Sequence, residues 1–339
     1  GAGGGAMESG GGAEVSAAQL RVEGVGSVLV ELSKKRQLCR SSSEKSLQAG
    51  RRPAPALVRT ASIPAGGRKD KDKAKARRKG TLSGLLKAKK GSRGSSKADK
   101  AAGDDLLHDP LAAHRFLSSG DLTVEDVRQI GNCVRGSTGD WMPRFVYSGA
   151  VPLVFRLLQP PGAVRIPGVA EVYLEALACV RLLLANQYSL EATLEADNVQ
   201  IVLAVLEQCG AAPALVEAAG QALETICYLE KGYRATREVL EARREAGGGA
   251  LLAPFDAAFC ALDDRAAKAA VVRALNVFLQ ETSELEERFG LASELLRLGW
   301  SAAILGVQDA ADELSAQLYR FEQQLTSDHA QMVRRLGGA

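Results

Sequence analysis

Residues able to do chemistry are sparse in this chain and badly spaced for it. The three histidines are His108 and His114, in one short segment, and His329 near the end. An acid–base or metal constellation needs several such groups converging, and no HExxH, GxSxG, P-loop or dinucleotide-binding glycine pattern is present. Gly247 to Gly249 join two helical stretches without the Lys-Ser/Thr that phosphate binding requires. The acidic pairs Asp263-Asp264 and Glu286-Glu287 read as loop and solvated-face residues. The six cysteines (Cys39, Cys133, Cys179, Cys209, Cys227, Cys260) show no CxxC spacing. Five lie in apolar helical runs, where a thiol acts as a small buried hydrophobe, so reduced core cysteines of a cytosolic protein are expected. An enzyme is therefore not expected, nor a cofactor or a metal. Binding is.

Charge supports that direction. The net charge of +3 over 339 residues hides a division. Lys34 to Lys100 hold 22 Lys and Arg against 4 Asp and Glu, a local charge of +18, whereas Ala101 to Ala339 carry −12. A basic tail thus precedes an acidic body. Residues 1–103 combine Gly, Ser, Ala and Lys with few large apolar side chains, so a disordered tail is expected. Its amphipathic stretch Val22 to Leu32 is expected to form local structure at most and to be dispensable for folding. VRTASIP, with Arg59 three residues before Ser62 and Pro64 two after it, is a possible phosphosite and 14-3-3 ligand. The run RKDKDKAKARRKG suits anionic lipid better than bases, because no aromatic residue interleaves it.

The body reads as all-α. Of its residues, 104–160 form an N-terminal helical subregion, 161–326 a set of repeats, and 327–339 a frayed end. The pairs Ala176-Leu177, Ala222-Leu223 and Ala274-Leu275 are each expected to open an apolar helix, at intervals of 46 and 52 residues. Helical periods just above forty fit an armadillo- or HEAT-like solenoid. In the last unit, Ser283 and Glu286 form a capping-box pattern, and Gly299 can end a helix in the left-handed conformation. No apolar run reaches the ~18 residues that span a bilayer.

Four stretches in register carry a family resemblance. They are GDWMPRF (139–145), CVRLLLANQYSLEATLEADN (179–198), ALNVFLQETSELEERF (274–289), and SELLRLG (293–299) followed by QDAADELSAQLYRFEQQ. Together they resemble the N-terminal regulatory region of formins, the GTPase-binding and third formin-homology domain, across roughly 104–325. The resemblance implies an armadillo-like solenoid whose groove holds an autoregulatory helix from the same protein's C-terminus. It also implies a GTP-loaded Rho-family GTPase that displaces the helix and so controls actin filament assembly, in the cytoplasm and on the cytoskeleton.

Carried over by position, Asn186 matches a groove asparagine, and Thr225, Ile226 and Tyr228 fall at or beside groove positions. Thr225 is more polar and Tyr228 bulkier than the family's choices. For the GTPase the matching loop is GSTGDW, naming Ser137, Thr138, Asp140 and Trp141, where some relatives have an asparagine-rich loop. No Pro-rich or actin-nucleating region follows, so a fragment of a longer formin is expected. Two other readings stay open: an armadillo scaffold with unrelated peptide partners, and an adaptor attached to membrane or partners through residues 34–100. Thr81 to Arg93, with Leu82, Leu85 and Leu86 before three lysines, is a further candidate to occupy the groove in cis.

Overall fold

A few polar side chains set the helix boundaries. The computed structural model describes residues 19, 21–34, 109–119, 122–159, 168–208, 212–306 and 312–337, and every regular element among them is helical. The fold is all-α. Helix α1 covers 21–34. In α2 (Pro110–Ser118), Asp109 accepts a hydrogen bond from the Leu111 amide, and Pro110 takes the first helical position, where an N–H would be unpaired anyway. A capping box between Thr123 and Asp126 opens α3 (Val124–Arg135). Two short helices follow, α4 (Trp141–Tyr147) and α5 (Ala150–Arg156). The body continues with α6 (Val169–Leu184), α7 (Leu190–Thr193), α8 (Ala196–Gln208) and α9 (Pro213–Tyr228). Then come α10 (Glu230–Gly247), α11 (Ala253–Ala261), α12 (Arg265–Glu281) and α13 (Leu285–Leu295). A π turn (Leu296–Trp300) leads into α14 (Ser301–Gly306), and α15 (Glu313–Gly337) closes the body.

Two local expectations for the last unit part ways. Gly299 does take a left-handed conformation, with φ of 105°, and breaks the helix there. The capping box does not form: α13 begins after Glu284 with no side-chain cap. Glu286 instead pairs with Arg335 of α15, so a partner distant in sequence displaces the local one.

The long helices α3, α6, α9, α12 and α15 pack in series, each on the next. Polar bonds cross every step. Arg128 of α3 reaches Glu175 of α6 at 2.7 Å, and Arg181 of α6 reaches Gln221 of α9 at 2.8 Å. Glu224 of α9 meets Arg273 of α12 at 2.8 Å, and Asn276 of α12 donates to the Gln317 carbonyl of α15 at 2.9 Å. Partner positions rise together, from Arg273–Glu313 to Asn276–Gln317, so α12 and α15 run parallel. The same holds for α9 and α12, from Gly220–Ala270 to Glu224–Arg273. A Cβ on Gly220 would lie 2.9 Å from the Ala270 carbonyl carbon, so only glycine permits this approach.

Helices α8, α10, α11, α13 and α14 cover this ladder. Between the layers lies one apolar core containing Phe145, Phe155, Phe255, Phe278, Phe289, Trp300 and Phe321, all fully buried. Burying one such side chain is worth about 1.5–3 kcal/mol, which no helix here could collect alone. Trp300 stacks on Phe259 at 4.5 Å and donates its indole N–H to Asp256 at 2.8 Å. Cys133, Cys179 and Cys227 are buried. Cys260 is exposed, contrary to expectation, because Ala258 and Phe259 take the inward face of α11. Cys39 and Cys209 lie outside the described residues.

Both ends of the chain depart from the sequence reading. Residues 327–339, expected to fray, are helical as far as Gly337. Asp328 is fully buried, bound by both Arg288 Nε (2.8 Å) and Nη2 (2.9 Å), and Met332 is buried one turn later. At the other end, α1 is more than local structure. Val22, Val25 and Leu32 are buried in the common core, and His329 Nε2 lies 3.0 Å from the Val22 carbonyl oxygen. The N-terminal helix therefore packs on the last unit of the body. A composition average over 103 residues hides a 14-residue stretch with a complete apolar stripe.

Candidate interaction surface

On the ladder's exposed edge, α6 and α9 end side by side. Thr225, Ile226 and Tyr228 occupy the last turn of α9, and Asn186 lies just past the end of α6. These four expected groove residues divide into distinct roles. Tyr228 is 72% exposed, and Thr225 is exposed, its hydroxyl donating back to the Gln221 carbonyl at 3.2 Å. Ile226 is fully buried against Gly232 of α10 and belongs to the core, not to a groove. The reason is helical periodicity: 225 and 228 share a face, and a residue at 226 points about 100° away from 225. Asn186 is half-buried, and its side-chain oxygen accepts from the Tyr188 amide at 3.0 Å, so it shapes the turn after α6.

That turn presents a residue that the sequence reading missed. Tyr188 is 54% exposed. It precedes Tyr228 by the same forty residues that separate Arg181 from Gln221, which bond across the same two helices. Tyr228 closes α9, whereas Tyr188 lies in the turn four residues past the end of α6. An exposed aromatic recurring at the end of successive apolar helices was the available signal. The charged residues along α6 and α9 are Glu171, Glu175, Arg181, Glu217 and Glu224, of which Glu175 and Glu224 are already paired with Arg128 and Arg273 of the neighbouring ladder helices. Two exposed aromatic faces suit an apolar segment.

The loop 136–140 is built differently. Ser137 is half-buried, its hydroxyl bonded to the Val134 carbonyl at 2.9 Å. Thr138 and Asp140 are exposed, and Asp140 makes no side-chain cap bond at the start of α4. Trp141 is buried and stacked on Phe145 at 5.0 Å, so it braces the loop from beneath and is not a contact residue. Its indole nitrogen has no hydrogen-bond partner among the described residues. Only Thr138 and Asp140 of the four expected residues are fully offered to a partner. Ser62 and Thr81 to Arg93 lie outside the described residues, as does the basic tail beyond Lys34.

An open cleft of about 380 Å³ between α5 and α8 has Arg156 and Asp197 as its charged lining and brings no nucleophile and base together. Among the described residues, no cluster of three or more His, Cys, Asp or Glu is placed to hold a metal. Burial pushes the Cys179 and Cys227 thiols up to about 12, which leaves them protonated and unreactive. No helix among the described residues is long and apolar enough to cross a membrane. No protein-family model matches the chain, and no curated protein sequence matches it significantly.

Proposed function

We propose that this chain is a regulatory peptide-binding module of the formin type, an armadillo-like array acting in the control of actin filament assembly. The observation that carries this reading is the exposure of two large aromatic residues, Tyr228 in the last turn of α9 and Tyr188 in the turn that follows α6. A Leu-rich helix with a basic end, such as a formin autoregulatory segment, lays its apolar side on the tyrosines. Thr225 lies within the same patch, and Asn186 holds the Tyr188 turn in place. A GTP-loaded Rho-family GTPase contacts the 136–140 loop through Thr138 and Asp140. The two ligands compete for overlapping states, so each weakens the other by the same factor. The resemblance of the four sequence stretches and the serial packing of α6, α9 and α12 support the same assignment.

Two measurements test this. Fluorescence anisotropy with a C-terminal formin autoregulatory peptide should show saturable, salt-sensitive binding that Tyr228→Asp weakens. Pull-downs with GTP- and GDP-loaded Rho-family proteins should capture the chain only in the GTP state. Peptide binding without nucleotide-dependent capture favours an armadillo scaffold with other partners. Salt-sensitive binding of residues 34–100 alone to anionic vesicles favours the membrane-attached adaptor.

A further inference from the structure

The α1 helix sits where no local connection requires it. Residues 35–108, 74 in all, separate it from α2, and α2 packs on α4 and α5 at the opposite end of the ladder. Its own seat is the last unit. His329 of α15 lies 3.0 Å from the Val22 carbonyl oxygen, and Phe289 of α13 stands beside the His329 ring at 6.2 Å between centroids. The Arg21 guanidinium reaches Gly290 of α13.

The contact has a readable recognition pattern. Val22, Val25 and Leu32 are buried, and Leu29 packs on the same core, so the stripe runs i, i+3, i+7, i+10. At i+4 stands Gly26, where a Cβ would lie 3.0 Å from His329 Nε2. A larger side chain there has no room without moving the imidazole. Glu23, Glu31 and Lys34 lie on the outward side and take no part.

We infer that the face formed by α13 and α15 is a helix-binding site, and that residues 21–34 are its exchangeable occupant in cis. The trans ligand is an amphipathic helix of a partner protein with the same apolar stripe and a glycine facing His329. This site is distinct from the tyrosine pair at the ends of α6 and α9 and does not rest on the formin reading. Because α1 belongs to the same chain, a partner helix must outcompete it to enter. Releasing α1 removes the competition and raises the apparent affinity of any trans helix.

The test uses the full chain and a fluorescent peptide of residues 21–34. Two chain variants release α1, Leu32→Asp and the milder Gly26→Leu. Each is checked for its helical circular dichroism and for a cooperative unfolding transition. The expected result is peptide binding at least tenfold tighter to a folded release variant than to the unaltered chain, and loss of binding when the peptide itself carries Gly26→Leu. Three results overturn the inference: no gain in either folded variant, equal binding of the Gly26→Leu peptide, or unfolding of both variants. The last would make α1 an integral part of the fold.

Discussion

Replacing Asp328 by Ala breaks the most deeply buried ion pair among the described residues. The Asp328 side chain is 1% exposed and Arg288 14%. The carboxylate accepts from Arg288 Nε at 2.8 Å, from Arg288 Nη2 at 2.9 Å and from Gln324 at 3.0 Å. Removing one partner of a buried pair costs about 3–5 kcal/mol, because the other charge stays uncompensated. Arg288 keeps its bond to the Thr282 carbonyl at 2.6 Å and retains some access to water, which places the loss near 3 kcal/mol. For a body of this size that is roughly 6–12 °C in Tm. Urea unfolding followed by circular dichroism, with a parallel thermal scan, reads both. The double variant Arg288→Met/Asp328→Leu removes both charges and should recover to within about 1 kcal/mol of the unaltered chain. A loss below about 1 kcal/mol for Asp328→Ala, typical of a surface carboxylate, would refute the pair and return the segment after 326 to a frayed end.

Gly232→Ala puts a methyl 2.1 Å from the Ile226 carbonyl oxygen, so it should destabilise by about 1–3 kcal/mol or more in urea, whereas Gly247→Ala, with open space around it, should not. Ile226→Asp should abolish the cooperative transition, while Tyr228→Asp should leave it intact and weaken peptide binding by about 2–4 kcal/mol. Asp312 is held below the ordinary carboxylate range by Arg265 and by Ser315, and Glu286 by a backbone amide and by Arg335. Depressed folded values stabilise above the unfolded pKa and are lost as pH falls through the folded one. Tm should therefore drop on acidification below about pH 4.5, and drop less in Asp312→Asn or Glu286→Gln, as a pH series of thermal scans would show.

What the sequence disclosed follows the range of the interaction concerned. The Thr123 start is visible because its capping partner, Asp126, is three residues away. The pattern at Ser283 misleads because Glu286 has a stronger partner 49 residues on, in Arg335. The order of the ladder helices was legible in the apolar pairs at 176, 222 and 274, whose alanines are all fully buried. Ile226 could be read as groove or as core from the sequence, and the 3.6-residue period, which separates it from Thr225 and Tyr228, favours the core. The stripe of α1 is plain in the sequence. Its seat, 307 residues away at His329, leaves no local trace.

That separation also sets an order of events in folding. Every other side-chain hydrogen bond named here spans at most 52 residues, so the ladder grows by closing loops of similar, modest length. The bond from His329 to Val22 alone closes most of the chain into a ring. A contact of that separation carries the largest loop-closure cost named here, so α1 is expected to dock after α13 and α15 have assembled. Amide hydrogens of α1 should then exchange through their own opening, well ahead of those in α9 and α12, which wait for the whole ladder to come apart.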